Sequence, residues 1–396
     1  MVADGDGTTT PTRRDIVKYG SIATLGGLLA GCTTQSDTDT TGTAPTETTA
    51  AGDGSTTTAT ESYTVEMAPA GAVEFDRPPE RVTHYFPDYG DMAVALGKSD
   101  SILSMGLPSR FHTSHYEELD GVGVDMDSIT KLNGDSGIDK EIFYELDADV
   151  HLIDPQWLVN NSFFGLGEGD VEELTDEVAP FVGNTVFRRT DGWHDYRYYD
   201  LYGAFEKVAQ VHQEEEKFRQ LKSLHDEFVA DLQAKLPGAD DRPNALLTFA
   251  GSDEPEAFYP YRVSDQGTNK KHFHDLGLTD ALAGSGIEGL STTDRGQIDY
   301  ETMLEVDPDS ILVRGHEGKS REEFVDTVLS FMQDHETASA LTAVQNETVF
   351  RGGPIYSGPL HHLFLTERYA KLYFPDVYSG ELFDRERVAD IVTGAN

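Results

Sequence analysis

The chain has 396 residues, with 71 Asp and Glu against 30 Lys and Arg, for a formal net charge of −41. That balance excludes a nucleic-acid partner, which needs a basic footprint. The single cysteine, Cys32, excludes an intrachain disulfide and the thiolate clusters of structural zinc or iron–sulfur sites.

Hydrophobic residues make up 38% of the chain without any apolar run of 18, which fits a soluble body. Carboxylates are spread along the whole chain rather than gathered in a tail. This matches the densely hydrated surfaces of proteins from salt-loving archaea, where high salt screens the mutual repulsion.

Residues 12–18 read TRRDIVK, with the pair Arg13 and Arg14, and the uncharged stretch GSIATLGGLLAGC follows. A twin-arginine pair ahead of a short apolar segment has the layout of an export signal. Its ending, Leu29-Ala30-Gly31-Cys32, resembles a lipobox, where a signal is cut and the cysteine acylated. From Thr33 to Ser62, thirteen of thirty residues are Thr. Such a segment buries too little to offset its ordering entropy, and as a coil it reaches roughly 30 Å. It reads as a tether.

The folded part opens at PPERVTHYFPDYGDMAVALG. Residues 81–86 predict a strand, Pro87 to Gly90 a turn, and 91–96 a helix ended by Gly97. SILSMG predicts a second strand, 139–145 a helix, 150–153 a strand and NTVFR another. Beyond residue 244, ALLTFAG, KKHFHDLGL, 299–313 and ETVFRGG continue the alternation of strand and helix. Alternation of this kind indicates parallel sheets and an α/β class. Between the two halves, Phe218, Leu221, Leu224, Phe228 and Leu232 recur at helical spacing from Glu214 to Leu236, where Pro237-Gly238 stops the run. About 23 residues give a rod of roughly 35 Å, read as a strut joining two lobes.

GIDKEIFYELDADVHLIDP, from Gly137, returns as QIDYETMLEVDPDSILVRG, from Gln297, with every match offset by 160 residues. That offset is the size of a domain. In each copy Asp139 or Asp299 is placed to N-cap the short helix, Leu146 or Val306 to pack it, and Asp-x-Asp to turn into the next strand. Glu141 and Glu301 are not explained by this, since a first-turn carboxylate gains only some tenths of a kcal/mol from the helix dipole.

The order of lipobox, Thr-rich tether, PERVTHYFPDYGDMAVALG, DKEIFYELDADVHLID, long helix, DYETMLEVDPDSILV and LYFPDVY resembles the substrate-binding lipoproteins of iron–siderophore and cobalamin ATP-binding-cassette importers, the class III periplasmic binding proteins. The likeness covers residues 78–378. It implies two Rossmann-like lobes with parallel-rich sheets bridged by one long helix, a ligand held between them, and a partner permease with its ATPase. It also implies one glutamate per lobe docking on permease arginines, which by motif position are Glu141 and Glu301. Ala148 stands where the family usually has Pro, as at Pro308. The expected organisation is a signal at 1–32, a tether at 33–62, an N-terminal lobe at 63–212, the bridging helix at 213–237 and a C-terminal lobe at 238–396. A monomer, lipid-anchored on the outer face of the membrane, is expected.

Ligands of open α/β sheets sit beyond the carboxyl ends of the strands. That rule nominates Tyr85, Phe86, Tyr89, Arg110 and Trp157 in the first lobe. In the second it nominates Tyr259, Tyr261, Arg262, Arg295, Arg314, His316 and Tyr356. Tyr356 matches the family's aromatic cleft position, and Arg295 lies near another. Arginines beside aromatic faces suit an anionic, bulky iron chelate. Siderophore, cobalamin and haem share that cleft type, and the sequence does not choose among them.

His112, His115, His272, His274, His361 and His362 fall in three separated segments, which argues against a shared metal; no metal and no cofactor are expected. No G-x-S-x-G, P-loop or H-E-x-x-H occurs, so catalysis is not expected. GLGEG at 165–169 lacks a phosphate cradle's strand–helix context. A surface-layer or adhesion protein on the same tether is the remaining alternative, and would show β-sandwich strands.

Overall fold

The computed structural model describes residues 62–287 and 296–395. The export signal with Arg13, Arg14 and Cys32, most of the tether, and Arg295 lie outside them. A hairpin, β1 (Tyr63–Met67) and β2 (Gly71–Phe75), precedes the first lobe. β3 (Val82–His84) leads into α1 (Pro87–Ala95), then β4 (Ile102–Met105), β5 (Thr130–Lys131) and a small hairpin, β6 (Asn133–Gly134) with β7 (Gly137–Ile138). α2 (Glu141–Leu146), β8 (Val150–Leu152), α3 (Pro155–Asn160), α4 (Glu168–Glu177) and α5 (Leu201–His212) follow, then α6 (Glu215–Gln233). The sheet order β5-β4-β3-β8 is parallel throughout.

The second lobe holds β9 (Asn244–Phe249), β10 (Tyr259–Tyr261), α7 (Lys271–Asp275), β11 (Thr279–Asp280), α8 (Tyr300–Val306) and β12 (Ser310–Arg314). After these come α9 (Arg321–Phe324), a π-helical turn, α10 (Ser330–Asp334), α11 (Thr342–Gln345), β13 (Val349–Arg351), α12 (Pro359–Tyr373) and α13 (Arg385–Thr393). Its sheet runs β10-β9-β12-β13, parallel except at the β10 edge, with β11 also parallel to β9.

Parallel sheets covered on both faces need apolar residues on both, and β9 and β12 supply them in alternation. Ala245, Leu247 and Leu312 join the core that runs through the first lobe, α5, α6 and α12. Leu246, Ile311 and Val313 join a second core under α8, α10 and α11.

The expected turn at Pro87–Gly90 is instead the first turn of α1, because proline at the first helical position has the required φ and lacks only an amide the helix would not use. A Cβ at Gly90 would meet the Met105 methyl and the Phe111 ring, so a larger residue there would have to displace the end of the Met105 side chain. NTVFR forms no strand. Its backbone bonds run elsewhere: the Asn184 amide donates to the Tyr89 hydroxyl (2.9 Å), and the Val186 carbonyl accepts from Thr268 of the second lobe (3.1 Å). The segment is a crossing between lobes.

α6 matches the expected rod less a turn, with Phe218, Leu221, Leu224, His225, Phe228 and Leu232 buried. Near its start Lys217 Nζ donates to the carbonyls of Leu96, in the first lobe, and Val392 (3.0 Å each). At its far end Gln233 donates to the Asp275 carbonyl (3.1 Å), and the Leu232 carbonyl accepts from Tyr378 (2.6 Å). α5 has no counterpart among the elements expected from the sequence; it precedes α6 with Gln213, at positive φ, and Glu214 between them.

The repeated motif folds twice in similar ways, with one difference at the helix start: Asp299 is the N-cap of α8 as expected, whereas α2 starts after Lys140 without a side-chain cap and Asp139 stands one residue further out. Asp139 accepts the Glu141 amide (3.1 Å) and Asp299 the Thr302 amide (2.9 Å). Asp147 and Asp307 both end their helices in the left-handed region. Asp149 then accepts the amides of Glu80 and Arg81 at the entry to β3, and Asp309 that of Asn244 at the start of β9. The second aspartate is thus a clamp on the neighbouring central strand as well as a turn residue. GLGEG starts α4: the Asp170 carboxylate accepts the Gly167 amide (2.9 Å). Among the described residues no helix is long and apolar enough to cross a membrane.

Candidate functional site: a cleft between the lobes

Where the strands of both sheets end, the chain surrounds a cavity of about 400 Å³. Tyr85 follows β3, Arg110 follows β4, Asn133 sits on β6, and Trp157 lies in the first turns of α3. Phe187 and Arg188 come from the crossing segment. Tyr261, Asn269, Lys270 and Tyr356 close the second-lobe side.

The apolar wall is a web of rings. Trp157 meets Phe187 edge-on at 5.5 Å, and Phe187 meets Tyr356 at 4.9 Å, so a second-lobe ring packs on first-lobe rings across the cleft. Phe86, fully buried, underlies them with centroids 5.3–5.7 Å from Trp157, Phe187 and Tyr356. Tyr85 adds a further face and accepts from Asn133 Nδ2 (2.9 Å).

Cations interrupt this wall. The Arg188 guanidinium stands 5.2 Å from both the Trp157 and Phe187 centroids, within cation–π range, and is held by a two-pronged pair with Asp191 (2.6 and 2.7 Å). Lys270 is 1% exposed, with its nearest carboxylate, Asp265, at 3.8 Å. Burial pulls its amine down to about 7, although Asp265 opposes the shift. Burial likewise pushes the Tyr85 and Tyr356 hydroxyls up, so both are neutral donors at physiological pH. Among the described residues lining the cleft there is no carboxylate, in a chain where carboxylates outnumber cations more than two to one.

Of the residues nominated from sequence, Tyr85, Arg110, Trp157, Tyr261 and Tyr356 line the cavity. The others sit behind it or apart from it. Phe86 underlies the rings. The Tyr89 hydroxyl is committed to the Asn184 backbone. Arg314 is buried: it donates to the carbonyls of Asn269 (2.7 Å) and Gly352 (3.2 Å) and lies 5.1 Å from the Tyr261 ring, so it positions the turn that carries Asn269 and Lys270. Arg262 donates to the Leu282 and Ile287 carbonyls (2.7 and 2.9 Å), Tyr259 pairs with Gln297, and His316 is buried 3.8 Å from Asp253. Phe187, Arg188, Asn133, Asn269 and Lys270 were not nominated. Arg188 and Phe187 close the NTVFR segment, so the strand-end rule applied there would have reached them.

Glu141 and Glu301 are both exposed in the first turns of α2 and α8. Glu301 accepts one bond from the Thr337 hydroxyl (3.2 Å).

The protein-family model described as "Periplasmic binding protein" matches residues 82–356. Among solved structures, the iron uptake ABC transporter substrate-binding protein PiuA from Streptococcus pneumoniae is 15% identical with a TM-score of 0.53, over 77% of this chain and 96% of that one. The petrobactin-binding protein YclQ from Bacillus subtilis is 15% identical at 0.52, over 84% and 99%. The periplasmic heme binding protein HutB of Vibrio cholerae is 14% identical at 0.50, over 74% and 99%. At such identities these structures share the fold alone. Comparison with curated proteins found no match.

Proposed function

The chain belongs to the periplasmic binding protein family, a family of extracytoplasmic solute-binding proteins, and we propose that it captures a ferric siderophore or a similar iron chelate between its lobes and delivers it to the permease and ATPase of an ABC importer. One observation carries this reading: a cleft walled by rings from both lobes, supplied with Arg110, Arg188 and Lys270, and lined by no carboxylate among the described residues. Rings cover the organic shell of a chelate, and the cations pair with its carboxylate or catecholate oxygens. The names of PiuA and YclQ, which concern iron uptake and petrobactin, point the same way.

Cobalamin or haem is the second reading, favoured by the likeness to a heme-binding structure. A cavity of about 400 Å³, toward the small end of the roughly 300–1,000 Å³ typical of ligand sites, suits a compact chelate better than a corrin. No His, Met or Cys lines the described cleft, so a haem iron would have only a tyrosine hydroxyl, from Tyr85, Tyr261 or Tyr356, as an axial ligand.

In this reading Arg13 and Arg14 direct export and Cys32 carries the lipid. A monomer held by its tether presents Glu141 and Glu301 to permease arginines. The test uses the only two tryptophans, Trp157 and Trp193, whose rings lie 6.3 Å apart beside the cleft. Soluble protein in molar salt is titrated with ferric hydroxamate, ferric catecholate, cobalamin and haem while their emission is followed. Saturable quenching by an iron chelate supports the proposal. Quenching by cobalamin or haem alone, or by none of the four, overturns it.

A further inference from the structure

Away from the cleft, α6, α7 and α12 converge on three side chains: His225, Asp275 and His362. From sequence, the histidine segments look too far apart to share a metal; folding brings His362 of one segment against the long helix. Asp275 Oδ2 lies 3.0 Å from His362 Nε2 and 3.9 Å from His225 Nε2, and the three atoms all fall within 4.8 Å of one another. Around a tetrahedral ion with bonds of about 2.0–2.2 Å, neighbouring donor atoms stand roughly 3.3–3.6 Å apart. The two observed separations bracket that spacing.

The orientation of His225 adds an independent argument. Its Nδ1 lies 3.0 Å from the Asp226 carboxylate, and a carboxylate on the far ring nitrogen is the arrangement that fixes a metal-ligating histidine. With the proton on Nδ1, Nε2 turns a lone pair toward Asp275 Oδ2 at 3.9 Å, beyond hydrogen-bond range. Two acceptors facing each other in a buried place repel unless a cation lies between them. His225 and His362 are 4% and 0% exposed, and His225 Nε2, the atom that would bind the ion, has no hydrogen-bond partner.

Other groups reach the cluster. Lys271 Nζ stands 2.9 Å from both Asp275 oxygens, the Thr366 hydroxyl 3.4 Å from His362 Nε2, and the Tyr202 ring 4.2 Å from that of His225. A carboxylate has about four lone-pair positions, so binding Lys271 leaves room for a metal bond.

We propose that His225, Asp275 and His362 form a structural site for a divalent transition ion of the zinc class, which pins the bridging helix to α7 and α12 of the second lobe. Two imidazoles and one carboxylate are a donor set for Zn²⁺ rather than for Ca²⁺ or Mg²⁺, which prefer oxygen alone. Burial between three helices suits a fixed ion. The helix is tied at its other end to Leu96 of the first lobe, so the ion would stiffen the joint between strut and second lobe.

The test uses the chelator-stripped soluble protein in molar salt, with Zn²⁺ measured by competition against a chromophoric chelator and Co²⁺ by its visible absorption. The expected result is one equivalent of Zn²⁺, a rise in melting temperature on binding, and a Co²⁺ spectrum of tetrahedral or five-coordinate intensity. His225→Gln and His362→Gln should each abolish the stoichiometric site, while Glu172→Gln on the exposed face of α4 leaves it intact. Should either histidine variant fail to fold, Asp226→Asn removes the orienting carboxylate, on a half-exposed side chain whose other pairing is a surface one with Lys222, and is expected to weaken binding about 10–100-fold. Weak binding of several equivalents that ignores these substitutions means surface carboxylates alone, and overturns the site. So does a wild type that takes up no Zn²⁺.

Discussion

Asp91 of α1 caps a helix that begins 268 residues later: its Oδ2 accepts the amides of Leu360 (2.8 Å) and His361 (3.2 Å), while Oδ1 accepts from the Tyr116 hydroxyl (2.5 Å). Gly358, at the N-cap of α12, has no side chain to do this, and a Cβ there would stand 2.5 Å from Asp91 Cβ. The carboxylate occupies the place where a capping side chain would otherwise project. Asp91→Ala strands two helix-end amides and a buried hydroxyl, and is expected to cost about 3 kcal/mol in denaturant unfolding. Gly358→Ser, which supplies a local cap but collides with Asp91, is expected to destabilise rather than rescue. A gain in stability from the serine would show that the close approach is not constraining.

Lys270 links ligand capture to pH. Free, its amine titrates near 7 because burial disfavours the charge; an anionic chelate favours the charged form and raises that value. Binding therefore takes up a proton above pH 7. Affinity for a ferric catecholate should be highest below about 7 and fall as pH rises, by at most tenfold per unit. Titrations across pH 6–9 should show that slope in the wild type and lose it in Lys270→Met, which also binds more weakly.

Asp88 carries a pH signature in stability rather than in binding. Burial raises its carboxyl from 3.8 to about 7, against bonds from the Tyr89 amide and Thr268 hydroxyl. Between those values the folded chain keeps a proton that the unfolded chain has released. Stability from this group is therefore present below about 4 and lost as pH rises through 7. Asp88→Asn stays neutral, so the difference in unfolding free energy between variant and wild type should grow in the variant's favour from pH 4 to 7. A pH-independent difference would show that Asp88 is ionised in the folded state.

Glu141 and Glu301 separate a docking role from a structural one. Both are exposed, so Arg at either should change stability by no more than about 0.5 kcal/mol, with the Thr337 bond lost at Glu301. Uptake by cells should fall for each and nearly vanish for the pair, because like charge would face the permease. A double variant that folds, binds its chelate and supports full uptake would remove the docking assignment.

What the sequence makes legible follows from the range of the interactions. The repeat could be read because its bonds act within three residues: Asp299 caps α8, and Asp139 accepts the amide of Glu141, two residues on. The rod of α6 is legible from its apolar stripe. NTVFR misleads because its composition suits a strand, while its hydrogen bonds go to Tyr89 and Thr268, far off in the chain. Tyr85, Trp157 and Tyr356 follow from strand ends. Lys270 and Asn269 stand on a turn placed by Arg314, whose own partners are 38 and 45 residues away, and no local pattern announces them. The meeting of His225 with His362 is likewise a product of helix packing alone.

The most direct test of chelate capture is a crystal of the soluble protein grown with the tightest-binding ferric chelate, with data collected at the iron absorption edge. The account predicts one strong anomalous peak inside the cleft, among Trp157, Tyr356 and Lys270, with chelate oxygens facing Arg110, Arg188 or the lysine. Iron found only on surface carboxylates, or only at His225, Asp275 and His362, would contradict it.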